Sequence, residues 1–277
     1  MSPRMPNVFR AAAVALSVAL SVPAAAATEP DLDLRYVIYW GGLRVADVAL
    51  RYDEQPGGDN YHAELSARTR GLADVLTSYL GDAEVDGLLL NGGGPAPVSY
   101  RADYKQRKTH RSTVLSFDPE NREVTGIQML KRGQPTETEV PPDLQVSVVD
   151  PVTAIFSVRQ HTAEALAGTG PTSFTVGVMD GRRRYDLSAE LLGRRTAVIE
   201  GQERPVIELR LRMVPLAGYD RDDMREAQDP GRYIVAQLSD DGRLIPLRLQ
   251  SHGHPVTTVV RLVRDCSNGA RCPSVTN

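Results

Sequence analysis

The sequence predicts a mainly β protein, in which a curved and mostly antiparallel sheet, a spiral or half-open barrel, wraps around one central helix. Apolar and polar residues alternate with a period of two in segments from one end of the chain to the other. Turn-forming residues separate these segments. One long segment, near residues 150–167, has helical spacing instead.

The first predicted element is a β-hairpin from Arg35 to Tyr52, with the sequence RYVIYWGGLRVADVALRY and a hinge at Gly41 and Gly42. The same alternation continues in HAELSARTR, RYDLSAELL and VIELRLRMV. Because side chains two positions apart share one face of a strand, each segment has an apolar face and a polar face.

Turn signals lie between the predicted strands at Asp118-Pro119, Asp180-Gly181 and Asp241-Gly242. Asp-Gly accommodates the positive φ of tight turns, and proline cannot donate a hydrogen bond to a strand ladder. Consecutive strands are therefore expected to be antiparallel neighbours, and their apolar face must curl or stack on another layer to be buried. Polar stretches at 133–143 and 217–231 predict longer loops.

Two segments have helical rather than strand spacing. Gly71 to Asp82, with the sequence GLADVLTSYLGD, predicts a short helix. The segment DPVTAIFSVRQHTAEALAG predicts the central helix, because Asp150 suits the N-cap, Pro151 suits the first turn and Gly168 suits the C-terminal end. We expect the apolar side of this helix to cover the apolar face of the sheet.

The N-terminus predicts export. Residues 1–27 combine Arg4 and Arg10 with an apolar run and a small-residue end, which is typical of a signal peptide cleaved after Ala27. The apolar run is too short to span a bilayer. We therefore predict a soluble periplasmic protein of one β-rich domain, residues 28–277, that is not an integral membrane protein once processed.

Charge disfavours one class of partner. Removal of Arg4 and Arg10 takes the formal net charge from −3 to −5. A mildly acidic protein has no net electrostatic attraction to nucleic acid, so we expect none as a partner.

The two cysteines predict a disulfide. Cys266 and Cys272 flank the turn-forming sequence SNGAR, and an oxidising compartment favours their pairing. Closing so short a loop stabilises the fold by at most about 2 kcal/mol. A zinc or redox role is less favoured, because further ligands and the C-x-x-C spacing are absent from this segment.

Several stretches resemble the exported bacterial family called domain of unknown function 3108. They are the opening hairpin, the helix that begins DPVTAIFSVR, and QLSDDGRLIPLRLQ near the C-terminus. The residues that carry the resemblance are Asp150, Pro151, Arg159, Ser239, Asp240, Asp241, Leu244 and Pro246. The resemblance implies a β-rich envelope protein without established catalytic residues. It also implies a lipoprotein-carrier-like sheet that leaves a cleft suited to acyl chains or peptides.

Common catalytic motifs are absent from the sequence, which has no G-x-S-x-G elbow, no P-loop and no H-E-x-x-H pair. We therefore expect no catalytic residues and no cofactor. His252 and His254 have the spacing of two side chains on one strand face, but Gly253 and Pro255 favour a turn over a metal site.

Arg159 on the central helix is the most informative charged residue. If its face of the helix is buried, the guanidinium requires a carboxylate partner, because an unpaired buried charge is costly. Asp150, Asp240 and Asp241 are the candidate partners. A structural role is favoured, and anchoring of an anionic head group is the alternative.

The leading functional hypothesis is a non-enzymatic protein that binds a hydrophobic or amphipathic envelope component, or an envelope protein partner, in the concave face of the sheet. The alternative is an envelope hydrolase or transferase whose site is assembled only in the fold, around His161 or His252. A third hypothesis is an assembly factor that pairs an exposed edge strand with a partner.

Overall fold

The computed structural model describes residues 31–55, 58–71, 74, 78–90, 94–227, 229–253, 255–267 and 272. Within this part of the chain, fourteen strands form one sheet in which every pair of neighbours is antiparallel. The predicted signal peptide and its cleavage site at Ala27 lie outside the described residues.

The strands and helices follow one another in a simple order. The strands are β1 Leu32–Trp40, β2 Leu43–Glu54, β3 Asn60–Thr69, β4 Tyr79–Leu90, β5 Gly94–Gln106, β6 Thr109–Asp118, β7 Glu123–Lys131, β8 Gln134–Thr136, β9 Ser173–Met179, β10 Arg184–Ile199, β11 Gln202–Ala217, β12 Tyr233–Ser239, β13 Pro246–His252 and β14 Thr258–Asp265. The helices are a 3-10 turn at Pro142–Leu144, α1 Pro151–Ala167 and α2 Arg221–Ala227.

The order of strands in the sheet places β1 next to β14 and leaves β8 and β9 at the two edges. The chain therefore passes from one edge to the other through α1. The sheet does not close into a barrel through strand pairing. These observations confirm the predicted class, an open antiparallel sheet with a central helix.

The segment before α1 links the two ends of the sheet, near β7 on one side and at β9 on the other. Val148 donates a backbone hydrogen bond to the carbonyl oxygen of Arg122, beside β7, at 2.9 Å. Val149 donates to the carbonyl of Gly177 in β9 at 2.9 Å, and Met179 donates back to Val149 at 2.9 Å. This segment therefore closes the seam that strand pairing leaves open.

Helix α1 begins and ends where the sequence predicts. The Asp150 carboxylate accepts hydrogen bonds from the backbone N–H groups of Val152 and Thr153 at 2.8 and 3.0 Å, as an N-cap does. Gly168 ends the helix in the left-handed conformation, with φ of 72°.

The two sides of α1 pack into two cores. Val152 and Phe156 belong to the core beneath β1 to β7, and Ala154 and Val158 belong to the core beneath β9 to β13. The strand alternation that the sequence predicts is present: Ile207, for example, is buried, whereas Arg210 is exposed. The helix thus covers the apolar face of the sheet.

The predicted short helix at Gly71 to Asp82 is wrong in its second part. Tyr79 to Asp82 begin β4, which pairs with β3 on one side and β5 on the other. Pairing on both sides and the stacking of Tyr79 on Tyr104, at 6.3 Å between ring centroids, override the local helical spacing. Asp74 is helical, and residues 72–73 and 75–77 lie outside the described residues.

Both predicted long loops contain regular structure. The stretch 133–143 contributes β8 and the first residues of the 3-10 turn. The stretch 217–231 contains α2, where the carboxylate of Asp220 accepts a hydrogen bond from the backbone N–H of Asp222 at 3.0 Å. This N-cap geometry explains why a helix starts in so polar a segment.

Alanine substitution at Gly181 would test how tightly the seam is packed. This glycine has φ of +91°, and a Cβ added there would lie 2.6 Å from Cγ2 of Thr113 on β6. Gly193 has φ of +94° but no atom within 4 Å of an added Cβ. We expect Gly193→Ala to cost about 1–2 kcal/mol through its backbone conformation. Gly181→Ala should cost at least about 1 kcal/mol more, because it also overpacks the seam.

Urea denaturation of the two variants measures this difference. Equal losses of unfolding free energy would contradict close packing between the β9–β10 turn and β6.

Candidate functional site

A cavity of about 340 Å³ lies between α1 and the sheet. Its helix wall consists of Pro151, Ala154, Ile155, Val158 and Arg159. These positions recur at intervals of three and four residues, so they lie on one side of the helix. The cavity therefore extends along more than two helical turns, or about 12 Å.

The sheet wall of the cavity is almost entirely aliphatic. Alternate positions of β10 to β12 supply many of its side chains, since residues two apart share a strand face. The sheet residues are Tyr36, Val48, Leu50, Leu65, Tyr185, Leu187, Leu209, Leu211, Met213, Ile234, Ala236, Leu238, Pro246, Leu249 and Val260. Two tyrosines are its only polar members.

Arg159 is the one charged residue among those that line the cavity. Its Nε and Nη2 atoms donate hydrogen bonds to the carbonyl oxygen of Arg243 at 3.2 and 2.7 Å, and its guanidinium lies 5.8 Å from the ring centroid of Phe156. Burial lowers the pKa of Arg159, although Tyr52 and Tyr36 raise it in part. Within the described residues Arg159 forms no ion pair.

The candidate carboxylate partners of Arg159 have other contacts. Asp150 is fully buried at the N-cap, where the Thr153 hydroxyl also donates to its carboxylate. Asp240 pairs with Arg194, with an Nε–Oδ2 distance of 3.1 Å. Asp241 accepts hydrogen bonds from the Ser239 hydroxyl at 2.6 Å and from the backbone N–H of Arg243 at 3.0 Å.

Asp241 therefore acts on Arg159 only indirectly. It holds the turn that presents the carbonyl oxygen of Arg243 to the guanidinium. The sequence could not distinguish this arrangement from a direct ion pair, because every residue has a backbone carbonyl oxygen and no residue type marks the one that accepts.

Tyr36 is the polar group of the cavity that sequence reasoning missed. The residue is only 5% exposed, and its Oη atom has no hydrogen-bond partner in the part of the chain that the structure describes. Burial raises the pKa of Tyr36 well above its ordinary value, and the charge of Arg159 opposes this shift. The hydroxyl therefore stays protonated at physiological pH.

Residues 35–252 match the family described as "Protein of unknown function (DUF3108)". The chain belongs to the DUF3108 family. No curated protein matches the sequence.

The solved structures include one with a similar fold. It is the crystal structure of a beta-barrel-like protein of domain of unknown function DUF1849 from Brucella abortus, with a TM-score of 0.50 and 10% sequence identity. The match covers 85% of the DUF3108 chain and 98% of the other chain. At this identity the likeness concerns the fold alone.

Cys266 and Cys272 are joined in a disulfide, with their Cα atoms 5.9 Å apart. Cys266 is buried, and its backbone N–H donates to the carbonyl oxygen of Asp33 in β1 at 2.7 Å. The cross-link thus follows β14 where that strand leaves the sheet. Among the described residues no helix of the DUF3108 chain is long and apolar enough to cross a bilayer.

The histidines proposed from the sequence lie apart from one another. The ring of His252 stacks on Tyr233 at 4.9 Å between centroids, and His254 lies outside the described residues. Nδ1 of His161 lies 3.0 Å from a carboxylate oxygen of Glu164, one turn further along α1. Among the described residues, His161 and His252 therefore have separate partners and no contact with each other.

A different histidine has carboxylate neighbours. Nδ1 of His62 on β3 lies 2.8 Å from Oδ1 of Asp86 on β4, and Glu84 is close to both. Partial burial lowers the pKa of His62, but Asp86 and Glu64 together raise it by more than burial lowers it, so the net shift is upward. Sequence reasoning missed this group because strand register alone brings it together.

Asp150 provides a pH-dependent test of the helix start. Burial raises its pKa to about 6, against the hydrogen bonds from Thr153 and Val152, which lower it. The folded protein thus holds this proton at pH values where the unfolded chain has lost it. The resulting stability is complete below about pH 4 and is lost as the pH rises through 6.

Asparagine keeps the cap but does not titrate. We therefore expect the unfolding free energy of the wild type to fall relative to Asp150→Asn by up to about 3 kcal/mol between pH 4 and 7. Chemical denaturation across this pH range measures the difference. Parallel profiles of the two proteins would show that folding does not raise the pKa of Asp150.

Proposed function

We propose that this DUF3108 chain is a soluble periplasmic protein of the cell envelope that binds a hydrophobic or amphipathic envelope ligand, without catalysing a reaction. The observation that supports this proposal is the aliphatic cavity of about 340 Å³ between α1 and the concave face of the sheet. Small-molecule sites are typically apolar cavities of about 300–1,000 Å³ with a few placed polar groups.

The energetics of an apolar cavity favour a ligand. Interiors normally pack without voids larger than a water molecule, and unfilled apolar space loses van der Waals contacts on every wall. Each Å² of apolar surface that a ligand removes from water is worth roughly 25 cal/mol. A hydrophobic ligand would recover this free energy for the cavity walls.

Two features support export. The N-terminal sequence has the three parts of a signal peptide, and the structure holds a disulfide between Cys266 and Cys272. Disulfides persist mainly in oxidising compartments such as the periplasm. The periplasm is therefore the compartment that we propose.

The rival functions have less support. In the described part of the chain, neither His161 nor His252 forms a hydrogen bond to a serine, threonine or cysteine, as an assembled hydrolase site would require. The edge strands are also poorly suited to pairing with a partner. Strand β8 has three residues, one of which is Pro135, and β9 is paired at Val178 with Val149.

Filling the cavity tests the proposed function. Ala154 lies on the helix wall and is buried, whereas Ala163 is exposed on the same helix. We expect the purified protein to bind the neutral apolar probe N-phenylnaphthylamine. Ala154→Phe should weaken this binding roughly tenfold or more, because its ring occupies the ligand volume. Ala163→Phe should bind the probe as the wild type does.

Fluorescence titration measures the affinities, and thermal denaturation verifies that each variant folds. If Ala154→Phe is too overpacked to fold, Ala236→Leu fills the same cavity from β12. A wild type that neither binds the probe nor carries extractable lipid in native mass spectrometry would refute the proposed function.

A further inference from the structure

We infer that the ligand of the cavity is a single-chain amphiphile with an anionic head group, which the guanidinium of Arg159 and the hydroxyl of Tyr36 bind together. This inference rests on the proposed function, because it specifies the ligand class for the same cavity. Three observations carry it: a guanidinium without an ion pair and a hydroxyl without a hydrogen-bond partner, both among the described residues, and the size of the cavity.

Arg159 forms no ion pair in the part of the chain that the structure describes, although the charge of Glu54 raises its pKa from a greater distance. Its Nε and Nη2 atoms share one carbonyl oxygen, that of Arg243, and Nη1 donates no hydrogen bond to any described residue. A guanidinium has five N–H donors in a planar fork that matches carboxylate and phosphate oxygens. A half-buried cation without a carboxylate partner is therefore suited to an anion that arrives with the ligand.

The hydroxyl of Tyr36 is a second, independent indication. The residue lines the same cavity, and its Oη atom is buried without any partner in the described residues. Buried hydroxyl groups are nearly always hydrogen-bonded in folded proteins, so an unpartnered one indicates a missing ligand or water. Since burial keeps Tyr36 protonated, it would donate a hydrogen bond to an anionic oxygen.

The two groups act on the same place. The positive charge of Arg159 lowers the pKa of Tyr36 against the effect of burial, as expected of two side chains that line one cavity. They come from the helix and from β1, on opposite walls of the cavity. We place the head group between these two walls, where it would contact both.

The dimensions of the cavity favour one acyl chain. Its volume of about 340 Å³ lies near the lower end of the range for small-molecule sites. The helix wall extends about 12 Å from Pro151 to Arg159, with only apolar side chains between them. A chain lying along α1 would place its head at the charged end and its carbons against the aliphatic walls.

Four probes with the same twelve-carbon chain test the head group: dodecanoate, dodecyl phosphate, dodecanol and dodecyltrimethylammonium. Each is titrated into the purified, delipidated protein by calorimetry below its micelle concentration. We expect one or both anions to bind roughly tenfold or more tightly than dodecanol, and the cation to bind most weakly. The ranking of the two anions distinguishes a fatty acid from a phosphate ester.

Variants assign the preference to residues. Arg159→Gln should weaken binding of the favoured anion roughly tenfold while leaving dodecanol unchanged. Arg159→Lys should keep a preference for the anion, and Tyr36→Phe should weaken anion binding about three- to tenfold. Arg195→Gln, at an exposed position on β10, is the matched control and should bind as the wild type does.

Failure of the inference is distinguishable from failure of the proposed function. If the wild type binds dodecanol as tightly as both anions, the cavity binds apolar chains without discriminating between their head groups, and the inference is wrong. Equal weakening of anion and alcohol by Arg159→Gln would also overturn it. If none of the four probes binds, the proposed function fails as well. The wild-type comparison decides even if a variant does not fold.

Discussion

The backbone hydrogen bonds of Val148 and Val149 are the constraint on which the rest of this structure depends. One reaches Arg122 beside β7, the neighbour of edge strand β8, and the other reaches edge strand β9, so a single short segment links the two ends of the sheet. The next residue, Asp150, caps α1. These three consecutive residues therefore hold the two ends of the sheet together and fix the point at which the helix enters its concave face.

A helix fixed in this way divides the interior unevenly. On one side Phe156 packs against Tyr52, with ring centroids 4.3 Å apart, and aromatic side chains fill the core beneath β1 to β7. On the other side the helix presents Ala154 and Val158 to the aliphatic chains of β9 to β13. Small side chains facing aliphatic ones leave the space that becomes the cavity.

The elements that the sequence predicts correctly have local signals. Asp150, Pro151 and Gly168 mark the ends of α1, and the paired glycines at 41 and 42 make a tight turn with φ of 56° and 83°. The errors have non-local causes, as at Tyr79, where pairing with two neighbouring strands decides the conformation. In the sequence Tyr36 is an ordinary position of an alternating strand. Its place in the site could not be predicted, because only the fold brings it to the cavity of Arg159.

The similar DUF1849 structure helps to separate the residues that the fold requires from those that are particular to this chain. Two chains with 10% sequence identity share this fold over most of their length, so the fold does not require closely similar sequences. Such a sheet needs apolar side chains on its concave face, but it does not need an arginine there. A partly desolvated charge in an aliphatic cavity costs stability, and the two hydrogen bonds of Arg159 to the Arg243 carbonyl oxygen supply no counter-charge. Arg159 is therefore the position at which this chain departs from what the architecture requires, and chemistry specific to it is expected there.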